Sequence, residues 1–271
     1  MRDSECVEFL QWALPRLGRR WEGFRKVRRT VCKRIARRLR ELNLAGPRDY
    51  REFLERNGGE WPVLDALLPI TISSFYRDKA VFDFLRATVL RRIAEAAAER
   101  GDKILRAWSI GCASGEEPYT LMLAWRLDVQ PFFRDRELRV LATDVDAAVL
   151  ERARAACYAG GNLKRLPAVW RELAFTHEGN RYCVRAEYRA DIDFSLRDVR
   201  DALPTDKFHL ILCRNLVFTY FDEALQRRTL ERLVTRLAPG GGLVIGRRES
   251  LPPTTGLTAW AGNLGIFRKS A

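Results

Sequence analysis

The stretch Leu105-Arg106-Ala107-Trp108-Ser109-Ile110-Gly111-Cys112-Ala113-Ser114-Gly115-Glu116-Glu117-Pro118-Tyr119 decides how this chain is read. Its first six residues have the apolar, aromatic and branched character of a buried strand. Gly111 stops that strand, and Glu116 opens a helix expected to run to Leu127. A glycine turn between strand and helix is where nucleotide-binding folds bring backbone amides close to a ligand. Many turns have two glycines at this spacing; the two carboxylates that follow narrow the reading. Acids here would repel a pyrophosphate. They suit a ligand that carries an ammonium and no phosphate, and S-adenosylmethionine fits that description.

Downstream, strands and helices alternate. Strands are expected at 137–143, 192–196, 208–213 and 243–245, and helices at 147–156 and 223–237. Pro239-Gly240-Gly241-Gly242 reads as a turn, and 257–268 as a closing hairpin. Such alternation predicts an α/β fold with a doubly wound, mostly parallel sheet, Rossmann-like in plan. Upstream the pattern is helical. Residues 24–42 carry apolar side chains at 24, 27, 31, 35, 39 and 42, one narrow stripe on a helix otherwise nearly all Arg and Lys. Shorter helices are expected at 50–57, ending at Gly58-Gly59, and at 61–68. The expected organisation is a basic, all-helical domain at 1–68, a linker and connecting helix at 69–102, and a cofactor-binding domain at 103–271.

Composition bounds the chemistry. The 271 residues are 47% hydrophobic, enough for a large core, with no apolar run of membrane-spanning length. The N-terminus lacks a signal-peptide core, so a soluble cytoplasmic protein is expected. Six cysteines, none in a CxxC pair, are expected to be reduced and mostly buried, and no metal site is expected. Only His177 and His209 are present; His209 lies in an apolar strand and reads as a satisfied structural residue. Chemistry that needs no imidazole base follows. The formal charge of +13 points either to an acidic partner or to a solubilising surface.

Further polar residues fall at strand ends. Asp144, closing the second strand, is placed to accept hydrogen bonds from ribose hydroxyls, and Asp146 to cap the next helix. Asp198 and Val199 follow the third strand, where an adenine lies in such folds. Cys213-Arg214-Asn215-Leu216 ends the fourth, where cofactor and methyl acceptor should meet. It lacks the Asn/Asp-Pro-Pro-aromatic sequence of nucleobase amino-methyltransferases.

With these motifs the chain resembles the CheR family, the chemoreceptor glutamate methyltransferases of the class I methyltransferase fold. The resemblance rests on the basic helical module, Thr71-Ile72-Ser73-Ser74-Phe75-Tyr76-Arg77-Asp78, Gly111 to Tyr119, Ala142-Thr143-Asp144-Val145-Asp146, Cys213-Arg214-Asn215, Tyr220-Phe221-Asp222 and Gly246-Arg247-Arg248-Glu249-Ser250-Leu251. It implies S-adenosylmethionine contacts from Thr71, Ser73, Arg77, Gly111, Gly115, Glu117, Asp144, Asp198, Val199, Arg214 and Asn215. It implies catalytic positions at Arg77, beside the transferred methyl, and Tyr220. It also implies an acidic protein substrate facing the basic helix; nucleic acid is not expected, and oligomeric state stays open.

Three departures stand out. Thr71 replaces the family's Asn. One extra residue separates Asn215 from Tyr220, so either Tyr220 reaches the site through a bulge or Thr219 takes its place. The usual Gly-His-Ser-Glu-Ser-Leu reads Gly246-Arg247-Arg248-Glu249-Ser250-Leu251. The departures at 71 and 213–221 touch the expected site and bear on the acceptor, for which the resemblance makes protein glutamate the leading expectation. A different carboxylate or amine, or a non-catalytic binding module, are the alternatives.

Overall fold

The computed structural model describes residues 2–254 and 256–270. The chain divides into two compact units: one runs to Ile70 and includes Thr219–Gln226, the other comprises Thr71–Phe218 and the residues from Arg227 onward.

The first unit is helical: α1 (Asp3–Arg16), α2 (Trp21–Phe24), α3 (Arg28–Glu41), α4 (Pro47–Arg56) and α5 (Glu60–Ala66). On α3 the residues Val31, Ile35 and Leu39, one turn apart, are buried, while Arg29, Lys33, Arg37 and Arg40 are exposed. Part of the basic face has structural work. Arg28 pairs with Asp3 at 2.9 Å, Arg38 with the buried Glu60 at 2.8 Å, and Arg34 donates to the Leu67 carbonyl at 2.9 Å. The single helix expected over 24–42 is broken at 25–27. Phe24 turns inward to pack on Tyr220, ring centroids 4.8 Å apart, and Gly23 comes up against the Thr219 carbonyl. Tertiary packing overrides the continuous stripe.

The cysteine reading needs correcting. Cys6 and Cys32 form a disulfide between α1 and α3, and Cys157 and Cys183 form a second, each spanning 26 residues of sequence. The expectation of free thiols rested on near-neighbour spacing. Helix packing and strand register pair cysteines that spacing leaves apart. Cys112 and Cys213 are free and buried, as expected. Closing a loop of this size stabilises by about 3–4 kcal/mol. Calorimetry with and without reductant should show a lower melting midpoint on reduction; equal midpoints would mean that the disulfides contribute nothing.

In the second unit, α6 (Lys79–Phe84) passes through a π turn at Leu85–Val89 into α7 (Leu90–Glu99). Then follow β1 (Ile104–Ile110), α8 (Glu116–Leu123), β2 (Glu137–Asp144), α9 (Ala147–Ala155), β3 (Cys157–Ala159), α10 (Ala168–Ala174), β4 (Phe175–Glu178), β5 (Arg181–Val184), β6 (Ile192–Leu196), β7 (Phe208–Cys213), β8 (Leu237–Ile245), β9 (Leu257–Ala261) and β10 (Ile266–Lys269). A helix at Glu223–Arg236 lies between β7 and β8 in sequence. The stretch from 71 to 102, read as linker and connecting helix, contributes Phe75, Phe82, Leu85, Val89 and Ile93 to this unit's core.

The main sheet has the order β6-β2-β1-β7-β8-β10-β9. The first five strands are parallel, and β10 and β9 close the sheet antiparallel. From β1 the chain goes first to β2 on one side and later to β7 on the other. The crevice at the carboxyl ends of β1 and β7 is therefore the switch point where ligands bind in open α/β sheets. The second sheet, β3-β5-β4, was not expected. Its strands span three or four residues of mixed polarity and carry no alternation to read. Among the described residues no helix is long and apolar enough to cross a membrane.

Candidate active site

The loop after β1 is stitched to the end of β2. The Gly111 and Cys112 amides both donate to the Thr143 carbonyl, at 2.8 and 3.0 Å. Ala113 adopts a left-handed φ of 49°, and its amide donates to Asp144 Oδ2 at 2.9 Å. Asp144 Oδ1 accepts from the Asp146 amide at 3.1 Å. Asp144 is buried, and burial raises its carboxyl above the usual range, against the pull of these backbone donors. Gly115 has φ 91°, and a Cβ there would lie 3.0 Å from the Ala153 side chain, so the turn into α8 requires glycine. Asp146 caps α9 as expected, accepting from the Ala148 and Val149 amides.

The two acids of the loop have different surroundings. Glu117 accepts from Ser109 Oγ and Arg214 Nη1, both at 2.8 Å. Glu116 is buried and takes a hydrogen bond from Asn162 at 3.0 Å, while its Oε2 has no partner. Burial pushes the Glu116 carboxyl up. The sequence reading favoured Glu117 for the ligand; an unpartnered buried oxygen makes Glu116 the acid with spare capacity.

Arg214 turns inward. Its side chain is 2% exposed and pairs with Glu117 at 2.8 Å and Asp78 at 2.7 Å. It also donates to the Arg77 carbonyl at 3.0 Å and lies over the Phe82 ring. These bonds fasten the segment before α6 to the carboxyl ends of β1 and β7. Arg77 is not paired with Asp78; its Nη1 donates to the Ile72 carbonyl at 2.6 Å. With Asp78, Asn215, Arg247 and Arg248 it lines a cleft of about 610 Å³.

The remaining expected residues divide. Thr71 is half-buried, Val199 is buried, and Asp198 clamps Arg200, with one oxygen 2.6 Å from Nη2. Asn215 sits at φ 55°, its amide donating to Glu249 Oε2 at 2.9 Å. Tyr220 and Thr219 belong to the first unit, where Tyr220 packs on Phe24. The sequence reading treats Glu116 as the less favoured of the loop's two acids and gives no ligand role to Asp78, Arg247, Arg248 or Glu249, although all five lie inside the quoted motifs. Neither histidine lines the cleft: His209 accepts from the Arg106 amide at 3.0 Å, with burial lowering its basicity, and His177 packs edge-on to Tyr182.

This donor set fits S-adenosylmethionine. Around the loop stand three carboxylates and backbone groups, suited to an ammonium, a sulfonium and ribose hydroxyls, with no cluster of cations for phosphate at the loop itself.

Comparison with known proteins agrees. A family model described as CheR methyltransferase, SAM binding domain, matches residues 71–262. A chemotaxis protein methyltransferase of Listeria monocytogenes is 34% identical over 205 residues, covering 74% of this chain and 75% of that protein. One from Escherichia coli is 33% identical over 231 residues, covering 81% and 76%. An uncharacterized 104.1 kDa protein of Rhodobacter capsulatus is 32% identical over 222 residues, 82% of this chain but only 23% of that much longer protein. The chain belongs to the CheR family of S-adenosylmethionine-dependent methyltransferases.

Proposed function

We propose that this protein transfers the methyl group of S-adenosylmethionine to glutamate carboxylates of a protein, in the cytoplasm. The observation that carries the reading is the cleft itself: it is lined by guanidinium groups and contains no imidazole. A carboxylate ionises near pH 4.3 and needs no general base at neutral pH. An amine acceptor would need deprotonation and would be repelled by the same arginines. The resemblance to chemoreceptor methyltransferases, and relatives named chemotaxis protein methyltransferase, support a protein of the chemotaxis apparatus as acceptor. The exposed Arg29, Lys33, Arg37 and Arg40 face of α3 supports an acidic surface on it.

When bound, the cofactor supplies a sulfonium-activated methyl group. Asp144 would accept from the ribose hydroxyls: each carboxylate oxygen has two lone-pair sites, and one on each is taken by a backbone amide. Glu116, through its free oxygen, would take the ammonium end. Thr71 and Gly111 would border the same ligand, and Asp198 and Val199 its adenine. Arg77 would hold the acceptor carboxylate in line, by charge-assisted hydrogen bonds. The bound sulfonium would supply its methyl group to that carboxylate, which is already ionised at neutral pH, so no residue of the cleft would have to remove a proton.

The test is transfer from methyl-labelled cofactor to an acidic protein or peptide. The expected product is a base-labile methyl ester on glutamate. Label confined to amines or to small molecules would overturn the assignment. Arg77→Ala should keep cofactor affinity within about threefold while slowing transfer at least tenfold or so; undiminished transfer would remove Arg77 from the reaction.

A further inference from the structure

Arg247 and Arg248 stand where the family pattern reads His-Ser. Both are exposed, and among the described residues neither has a hydrogen-bond or ion-pair partner. Their backbone is nonetheless fixed. Glu249 Oε2 accepts from the Gly246 amide at 2.6 Å and the Asn215 amide at 2.9 Å, tying the end of β8 to the end of β7. Gly246 is confined as well: a Cβ there would lie 2.7 Å from both Asn215 Oδ1 and Glu249 Oε2. The turn therefore presents two unpaired guanidinium groups into the cleft from a held position.

The charge balance of the cleft is lopsided. Its lining holds Arg77, Arg247 and Arg248 against one carboxylate, Asp78, and Asp78 is engaged by the buried Arg214 at 2.7 Å. Three guanidiniums remain uncompensated. A single acceptor carboxylate with one oxygen turned toward the methyl group cannot satisfy three forked donors, even with the cofactor's own carboxylate on one of them.

We infer that Arg247 and Arg248 are specificity-determining residues that bind a second carboxylate of the acceptor. The preferred acceptor is then an acidic peptide segment in which a further carboxylate neighbours the glutamate that is methylated. This rests on the proposed carboxylate chemistry, and the test separates the two.

Peptides with one glutamate, with a neighbouring second glutamate, and with glutamine in its place should be titrated into the S-adenosylhomocysteine-loaded protein. The two-glutamate peptide should bind roughly tenfold tighter than the other two, an advantage that fades with added salt. The double variant R247H/R248S should bind all three alike, with an unchanged melting midpoint. Arg248→Glu should shift preference to a peptide with lysine at the neighbouring position. Equal affinities in the wild type, or a preference that survives in R247H/R248S, would overturn the inference. Displacement of the peptide by free glutarate at comparable affinity would overturn the peptide assignment. Labelled transfer is measured in parallel. A charge-dependent binding preference without ester formation sinks the proposed reaction alone, and ester formation without the preference sinks this inference alone.

Discussion

Arg214→Met should destabilise the fold by about 3–5 kcal/mol, the range found when one partner of a buried ion pair is removed. Methionine approximates the volume of the side chain, so packing against Phe82 is largely kept. The two carboxylates are not. Glu117, with a side chain 15% exposed, carries most of the penalty; Asp78, at 32%, can recover some water. Arg214→Lys should fall between, because one ammonium cannot serve Glu117, Asp78 and the Arg77 carbonyl with the fork geometry of a guanidinium. Denaturant titration measures the loss. A change below about 1 kcal/mol would mean that these pairs are worth no more than exposed ones.

Asp144→Ala should weaken cofactor binding by about a thousandfold, near 4 kcal/mol, since charge-assisted bonds to two ribose hydroxyls each contribute roughly 1.5–3 kcal/mol. The alanine variant also frees the Ala113 amide, and with it the left-handed turn of the loop. Asp144→Asn separates the two effects. It keeps one acceptor oxygen for Ala113 but turns an amino group toward the Asp146 amide, so loop geometry should survive better than affinity. Calorimetry with S-adenosylhomocysteine decides: cofactor affinity in Asp144→Ala equal to that of the unaltered protein would take Asp144 off the ribose.

Much of the sheet was readable because β1, β2, β7 and β8 are largely buried apolar runs of six to nine residues. The glycine–acid loop and Asp144 sit at strand ends, which the same runs locate. Other features depended on long-range pairing. Arg214 reads as a ligand residue from its place after β7, yet its partners lie 97 and 136 residues away in sequence. The Glu249–Asn215 bond spans 34 residues. The small β3-β5-β4 sheet is held by register and by a disulfide, neither of which leaves a periodic trace. Even β8 begins earlier than expected, at Leu237, because Gly240 with φ 71° lets Pro239-Gly240-Gly241-Gly242 run within the strand.

The Glu249 clasp has an engineering consequence. It grips main-chain amides, not side chains, so the residues at 247 and 248 can be exchanged without loosening the turn that carries them. These two positions form a natural cassette: a library randomised there alone should stay folded while its acceptor repertoire drifts, which lets this scaffold acquire new targets without rebuilding its methyl-donor half.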